Sequence, residues 1–164
     1  MIRPVTDADA PAIAGIYNYY IEYTPASFEE LPLSNEEMAG RIRDITAAYP
    51  WFVWEENGEI TGYAYAGKFK ERSAYRYSVE DSIYLKPNLT GKGIGTALLT
   101  ALLDVLRKTE CHAVISGITL PNDGSVRLHE KFGFNKVAHF KEVGFKLGEW
   151  RDVGYWELIL SAKD

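Results

Sequence analysis

The sequence has little of what several classes of protein require. Its 164 residues include one cysteine and three histidines, so an internal disulfide is excluded and no Cys or His cluster has metal-ligand spacing. The net charge of −5 argues against nucleic acid or an anionic membrane surface as a partner. No run approaches the roughly 18 to 20 apolar residues that a membrane span needs. We therefore expect a soluble protein that binds no metal.

The start of the chain and its single thiol indicate a compartment. Met1-Ile-Arg-Pro4 leads directly into a strand-like segment and not into a signal peptide. Cys111 follows a helical segment and precedes an apolar strand, which favours a buried, inert thiol over a nucleophile. Both features fit a reducing environment, so we expect the protein in the cytoplasm.

Hydrophobic periodicity predicts helices and strands within one domain. Hydrophobic residues make up 46% and charged residues 25% of the chain, and no repeat, low-complexity tract or linker divides it, so residues 1–164 are predicted to form a single domain. Capping-box patterns at Thr6–Asp9 and Ser34–Glu37 open two helical stretches. The order β-α-α-β-β-β-α-β-α-β-β indicates a mixed α/β fold with a central sheet.

The predicted elements have the following bounds. Strands are expected at residues 2–5, 51–55, 60–66, 77–85, 112–118, 134–143 and 153–160, and Asn57-Gly58 is expected to turn a hairpin. Helices are expected after each capping box, at 93–108 and from Asn122 to Gly133. The apolar face of the third helix is predicted at Ile94, Ala97, Leu98, Ala101, Leu102 and Val105. A long, aromatic-containing connection is predicted between the last two strands.

The stretch from Ser82 to Thr96 carries the clearest functional signal. It reads as the end of a strand, a break at Lys86-Pro87 and a turn with glycines at 91, 93 and 95 that opens a helix. The first N–H groups of a helix lack partners within the helix and suit phosphate oxygens. The glycine spacing excludes both a Walker loop and a dinucleotide fingerprint. From these residues alone, an anion site and a turn without a ligand both remain open.

Two motifs carry a resemblance to a known family. Thr90-Gly-Lys-Gly-Ile-Gly95 resembles the [Q/R]-x-x-G-x-[G/A] cofactor motif of the GNAT superfamily of N-acetyltransferases, with Thr90 in place of Gln or Arg. Asn122–Phe134 resembles that superfamily's N-x-x-A-x-x-x-Y-x-K-x-G-F motif, with Ser125 and His129 at the Ala and Tyr positions. The motifs occur in the family's order, so the resemblance implies the GNAT-like acyl-CoA N-acyltransferase fold.

Further segments narrow the resemblance to phosphinothricin acetyltransferases and the related methionine sulfoximine/methionine sulfone acetyltransferases. They occur along essentially the whole chain, at residues 49–51, 62–67, 72–75, 79–80, 120–130 and 144–154. The resemblance implies transfer of acetyl from acetyl-CoA to the α-amine of a small amino-acid analogue. It also implies a homodimer.

The resemblance implies which residues hold acetyl-CoA. A strand with a free edge offers alternating donors and acceptors to the amide-bearing pantetheine arm. The glycine turn is expected to hold the pyrophosphate, and Asn122 is expected to hydrogen-bond near the thioester. The predicted cofactor-binding residues are Ile83, Tyr84, Leu85, Gly91, Lys92, Gly93, Ile94, Gly95, Thr96, Asn122 and Ser125.

Two residues are predicted to be catalytic by their family positions. Glu80 is the candidate general base, because the acceptor arrives as an ammonium and must lose a proton before it attacks the thioester. His129 is the candidate acid for the departing thiolate, and a packed histidine is the alternative reading. Asp81 is expected to face the other side of the sheet from Glu80 and to assist only in substrate binding.

The acceptor site is predicted around the loop before the core strand. By resemblance, Arg72 would clamp a substrate carboxylate with two hydrogen bonds. A solvated charged loop is the alternative. Phe28, Trp51 and Tyr75 are candidates for the pocket wall. The predicted substrate-binding residues are Lys70, Glu71, Arg72, Tyr75, Glu80, Asp81 and Ser82.

Two rival functions remain open at this point. One is an acetyltransferase of the same fold that acts on a polyamine, an aminoglycoside or a protein N-terminus. The other is a non-catalytic acyl-CoA-binding sensor, because a fold does not determine its function.

Overall fold

The computed structural model describes residues 1–160, so the last four residues of the predicted domain lie outside the described part. The described residues form a seven-stranded mixed sheet in the order β1-β2-β3-β4-β5-β7-β6. The strands are β1 (Ile2–Pro4), β2 (Trp51–Glu56), β3 (Glu59–Lys68), β4 (Ser78–Leu85), β5 (Ala113–Leu120), β6 (Asn135–Lys146) and β7 (Glu149–Ile159). The helices are α1 (Ala10–Tyr23), α2 (Asn35–Thr46), α3 (Ile94–Leu106) and α4 (Asp123–Lys131), with 3-10 turns at Asp7–Asp9 and Ser73–Tyr75.

The sheet carries a separate hydrophobic core on each face. One core packs α1 and α2 against Trp51, Val53 and Tyr63. The other packs α3 against Val79, Val114 and neighbouring residues. Because successive residues of a strand point to opposite faces, each β4 residue lies on one side or the other. Glu80 shares its face with the α1–α2 core, and Asp81 shares its face with the α3 core.

The two central strands separate part of the way along the sheet. β4 pairs with β5 in parallel only from Ser78 to Glu80, opposite Ala113 to Ile115. Beyond this point β4 continues to pair with β3, while β5 pairs with β7 as far as Leu120. Residues 81–85 therefore keep an open edge on the β5 side. This is the free strand edge that the sequence predicted.

The element order and the fold class predicted from the sequence are correct. Both capping boxes form, and the Asn57-Gly58 turn adopts the two positive φ angles of 52° and 79° that a tight hairpin requires. The buried face of the third helix is shifted from the predicted one. Ile94, Leu98 and Leu102 are buried as predicted, and Leu99, Leu103 and Leu106 are buried as well. Ala97, Ala101 and Val105 are only partly buried. The side of the helix that packs against β2, β3 and β4 decides which residues are covered.

The predicted long connection between the last two strands is wrong. β6 runs to Lys146 and β7 begins at Glu149, so the strands are joined by the tight turn Leu147-Gly148. Both turn residues have positive φ, 53° and 76°. An irregularity in the pairing between Phe140 and Gly144 breaks the alternation of apolar residues, which hid the continuity of β6 in the sequence.

Candidate active site

A cleft of about 1550 Å³ begins where β4 and β5 separate. This volume exceeds the roughly 300–1,000 Å³ of a pocket for one drug-sized ligand, and it suits a long ligand together with a small one. The cleft is lined by residues of α1, the segment between α1 and α2, β3, β4, the glycine turn, β5, α4, β6 and β7. The site is therefore assembled from most of the chain.

One end of the cleft has the features of a phosphate site. Gly91 and Gly93 have φ angles of 80° and 82°, a backbone conformation that side chains other than glycine rarely adopt. Gly93 directly precedes α3, where the unpaired N–H groups of the first turn carry partial positive charge. Arg127 and Lys131 of α4 also line the cleft and add positive charge. Gly95 brings the start of α3 close to α4, since an added Cβ would lie 3.3 Å from Leu128.

The structure brings most of the predicted cofactor residues together. The lining includes Ile83, Tyr84, Leu85, Gly91, Gly93, Gly95, Thr96, Asn122 and Ser125, and also Thr90 and Gly124. Lys92 and Ile94 do not line the cleft: Lys92 is exposed, and the Ile94 side chain is buried in the core. Asn122 caps α4, because its side-chain oxygen accepts a hydrogen bond from the Ser125 N–H at 3.2 Å.

Glu80 lies at the point where the two strands separate. Its side chain is partly buried and lines the cleft. Burial, and to a smaller degree the neighbouring charge of Asp81, raises the pKa of Glu80 above its usual value. A carboxylate with a raised pKa is a stronger base than a solvated one, which suits proton removal from an ammonium.

Gly117 of β5 makes room for Glu80. A Cβ added there would lie 3.3 Å from Glu80 Oε1 and 3.2 Å from the ring of Tyr155. Tyr155, on β7, also lines the cleft. Burial, followed by the charge of Glu80, raises the pKa of the Tyr155 phenol, so the hydroxyl remains protonated beside the carboxylate.

His129 and Asp81 form a buried pair on the other face of the sheet. Their side chains are 4% and 0% exposed, and His129 Nε2 lies 2.8 Å from Asp81 Oδ2. His129 Nδ1 donates to the Ser125 carbonyl at 2.7 Å, so both ring nitrogens face acceptors. Burial alone lowers the pKa of His129, but the hydrogen bond and charge of Asp81 outweigh it, and the pKa lies above its usual value near 6.5. The arrangement favours the imidazolium.

Asp81 and His129 both line the cleft, and two hydroxyl groups lie beside them. Ser116 Oγ lies 3.0 Å from His129 Nε2, and Ser125 Oγ lies 3.4 Å from His129 Nδ1. Both serines line the cleft. Asp81 Oδ1 is buried and has no hydrogen-bond partner among the described residues. Asp81 faces away from Glu80 as the strand alternation predicted, but its pairing with His129 was not foreseen.

The half of the cleft beside Glu80 has an apolar wall. It consists of Phe28 from the segment between α1 and α2, Phe140 and Val143 of β6, and Val153 and Tyr155 of β7. Phe140 packs edge-on against Tyr155 with ring centroids 5.8 Å apart. We call these five side chains the acceptor wall. Phe28 was predicted as a wall residue, whereas Trp51 is buried and stacks on Tyr65 with centroids 4.2 Å apart.

A second carboxylate lies in the same half of the cleft. Glu29 receives hydrogen bonds from Arg41 and from the Tyr17 hydroxyl. The hydrogen bonds from Arg41 are the main cause that holds the pKa of Glu29 below its usual value. Glu29 is therefore ionised at a pH where Glu80 can still hold a proton. Two carboxyl groups whose environments separate their pKa values suit different roles in one site.

The loop predicted to contact the substrate lies outside the cleft. Lys70, Glu71, Arg72 and Tyr75 are exposed, and none of them lines it. Lys70 instead lies near the rings of Phe69 and Tyr75, at 5.6 and 5.8 Å from their centroids. Of the predicted substrate residues, Glu80, Asp81 and Ser82 are at the cleft. The structure places this loop in solvent, and its contact with the substrate stays a prediction.

Several cleft residues were missed in the sequence. Tyr65, Ser116, Gly117 and the acceptor-wall residues of β6 and β7 have no motif of their own. Ser116 and Gly117 lie in an apolar strand pattern, where a small residue reads as packing. The pairing of β5 with β7 brings Gly117 opposite Tyr155, and that register is a tertiary property.

Comparison with known proteins agrees with this geometry. Residues 13–134 match the acetyltransferase (GNAT) family. The chain is 38% identical to the phosphinothricin N-acetyltransferase of Streptomyces viridochromogenes over 95% of its length and 85% of that protein. It is 37% identical to the L-methionine sulfoximine/L-methionine sulfone acetyltransferase of Salmonella typhimurium, covering 98% and 94% of the two chains.

A solved structure shows the same fold. The phosphinothricin acetyltransferase of Sinorhizobium meliloti, in complex with AcCoA, superposes with a TM-score of 0.94 at 40% identity, covering 98% of this chain and 88% of that one. The chain belongs to the acetyltransferase (GNAT) family. The predicted enzyme class, an acetyl-CoA-dependent N-acetyltransferase, is therefore confirmed.

Proposed function

We propose that the protein acetylates the α-amine of small amino-acid analogues such as phosphinothricin, methionine sulfoximine and methionine sulfone. The observation that carries this proposal is the position of Glu80. Its half-buried carboxyl lies between the open edge of β4 and the acceptor wall. An amine held against that wall is within reach of both the base and a ligand on the strand edge. The similarity to relatives that bear these substrate names extends over nearly the whole chain.

The residues of the cleft fit acetyl-CoA. The open edge of residues 81–85 can pair with an amide-bearing arm, and the glycine turn with Arg127 and Lys131 can hold phosphate groups. In the proposal, Gly91, Lys92, Gly93, Ile94, Gly95 and Thr96 contribute their backbone, and Asn122 and Ser125 lie beside the arm. The orphan oxygen of Asp81 is a further acceptor at this point. Acetyl-CoA supplies the activated acetyl group when bound.

Glu80 and the charged groups around it act on the amine. Glu29, ionised and paired with Arg41 in the same half of the cleft, can accept a hydrogen bond from the incoming ammonium. Glu80 then removes its proton, directly or through one water molecule. The acceptor wall orients the amine towards the strand edge.

His129 acts at the opposite face as the proton source for the departing thiolate. The Asp81 charge keeps the ring protonated, and the ring hydrogen-bonds the hydroxyls of Ser116 and Ser125 at the cleft surface. Base and acid thus lie on opposite faces of β4, separated by the open strand edge. This arrangement keeps the two protons apart during one direct transfer without a covalent enzyme intermediate.

A panel of acceptors tests the substrate class. We expect release of free thiol from acetyl-CoA with phosphinothricin, methionine sulfoximine or methionine sulfone, and much less with spermidine, an aminoglycoside or a peptide N-terminus. The apolar wall of aromatic and branched side chains is the reason, since it suits a compact acceptor. The reverse order of preference would favour the rival acetyltransferases. Binding of acetyl-CoA without turnover on any amine would favour the sensor.

The panel also tests the proposed role of Arg72. A clamp on the substrate carboxylate requires the exposed loop at 70–75 to approach the cleft. The Arg72→Ala variant should then raise KM for methionine sulfone but not for an amine without a carboxylate. An equal effect on both amines, or none, would refute the clamp.

We propose that the protein forms a homodimer through the end of the β6–β7 hairpin. β6 is an edge strand, and Val137, Phe145, Leu147 and Trp150 are each more than half exposed on this hairpin. Exposed edges with apolar side chains are covered in most proteins. Sedimentation velocity on the full chain tests this, and Trp150→Lys should shift the protein towards monomer. A wild-type protein that sediments as a monomer would refute it.

The remaining expectations concern location and metal. No helix within residues 1–160 is long and apolar enough to span a membrane. No group of three potential metal ligands lies together among these residues. We propose that the protein works in the cytoplasm, which the single cysteine and the use of acetyl-CoA support, and that its reaction needs no metal. Turnover in the presence of a chelator tests the second point.

A further inference from the structure

A buried lysine joins two parts of the acceptor half of the cleft. Lys146, the last residue of β6, is only 3% exposed. Its Nζ donates to the carbonyl of Tyr20, at 3.2 Å, and to the carbonyl of Ser27. Tyr20 lies in the last turn of α1 and Ser27 lies in the segment 24–32 that follows. The lysine therefore ties the end of α1 and this segment to β6.

The position of the ammonium explains why a charge is retained there. The last turn of a helix carries partial negative charge on its unpaired carbonyls, which a cation stabilises. Burial lowers the pKa of Lys146, and the charges of Glu30 and Glu29 act in the opposite direction. A buried charge is costly unless it is paired or hydrogen-bonded, and here the acceptors are two backbone carbonyls, one in the last turn of α1 and one in the segment 24–32.

A second contact joins the same two elements. Gly144 of β6 lies directly under the ring of Phe28, so that an added Cβ would overlap the ring. On its other side the segment is fixed by the Ser27 hydroxyl, 2.9 Å from the Tyr17 hydroxyl, and by the ion pair of Glu29 with Arg41. Ala26, Ser27, Phe28 and Glu29 all line the cleft.

We propose that Lys146 is a positioning residue for the acceptor: its ammonium fixes the segment 24–32 against β6 and so sets the shape of the acceptor wall. The proposal rests on the proposed function, because it assigns this half of the cleft to the amine. Lys146 does not line the cleft itself. It acts through Phe28 and Glu29, and the glycine turn at the other end of the cleft is independent of it.

Steady-state kinetics of Lys146→Met test this, with methionine sulfone and acetyl-CoA as substrates. Because displacement of a positioning group by about 1 Å can cost on the order of 100-fold, we expect kcat/KM for the amine to fall about 10-fold to 100-fold, mainly through KM. KM for acetyl-CoA should stay within about two-fold, since the phosphate end is untouched. Lys141→Met, on an exposed residue of the same strand, is the matched control and should behave as wild type.

A second variant keeps the test decisive if Lys146→Met does not fold. Gly144→Ala displaces Phe28 without removing a charge, and it should also raise KM for the amine selectively. Amide hydrogen exchange of residues 24–32 should become faster in both variants, which does not depend on turnover. An unchanged KM for the amine in a folded variant, or an equal rise in both KM values, would overturn the role of Lys146. Absence of turnover in the wild type would instead overturn the proposed function.

Discussion

Replacement of Glu80 by Gln is expected to lower kcat by about 10²- to 10⁴-fold, the usual contribution of general base catalysis. The amide keeps the shape of the side chain but cannot accept the ammonium proton. Affinity for acetyl-CoA should be retained, because the glycine turn and the open strand edge do not depend on this carboxyl. Glu110→Gln, an exposed glutamate outside the cleft, is the control that should keep wild-type kinetics.

The pH dependence gives an independent measurement of the same role. Burial raises the pKa of Glu80, so its carboxyl gains a proton at a higher pH than an exposed glutamate does. In the wild type, kcat/KM for the amine should fall as the pH drops through this raised pKa. Glu80→Gln should lose that acidic limb. Kinetics that are the same for wild type and variant between about pH 6 and 9 would contradict the assignment.

Replacement of His129 by Leu is expected to cost about 3–5 kcal/mol of the free energy of unfolding. The change leaves the Asp81 carboxylate, whose side chain is fully buried, without its charged partner. Since a domain of this kind is stable by about 5–15 kcal/mol, the loss is a large share of the total. Denaturant-induced unfolding followed by tryptophan fluorescence measures it.

A double variant separates the pair from the packing of its members. In Asp81→Asn/His129→Leu no charge remains buried, so most of the lost stability should return. If the double variant is as unstable as His129→Leu, the loss comes from packing alone and the charged pair is not the cause.

The stability supplied by the pair should depend on pH. The pKa of His129 is raised in the folded protein above its unfolded value of about 6.5. The imidazolium therefore contributes its full stability below that value, and the contribution is lost as the pH rises through the raised pKa. The advantage of the wild type over the double variant should shrink over that range. A constant difference would contradict the protonated state.

The sequence determined the fold class and the glycine-turn end of the cleft, where we propose that acetyl-CoA binds. Local chemistry decides both: periodicity sets helices and strands, and Gly91 and Gly93 supply the positive φ angles that the turn before α3 requires. Because these signals are short-range, they can be read from neighbouring residues. The family position of Glu80 likewise placed it at the cleft, and alternation along β4 placed Asp81 on the opposite face.

Only the tertiary structure decided the other half of the cleft, where we propose that the acceptor binds. The segment 24–32, the irregular part of β6 and Tyr155 of β7 are far apart in the chain, and they meet through sheet order, strand register and the buried Lys146. The loop with Arg72 had the composition of a binding site, yet it faces solvent. Charge in a sequence shows that a residue is polar, and it does not show which surface the residue faces. The register of distant strands decides that, and so it also decides which groups line this half of the cleft.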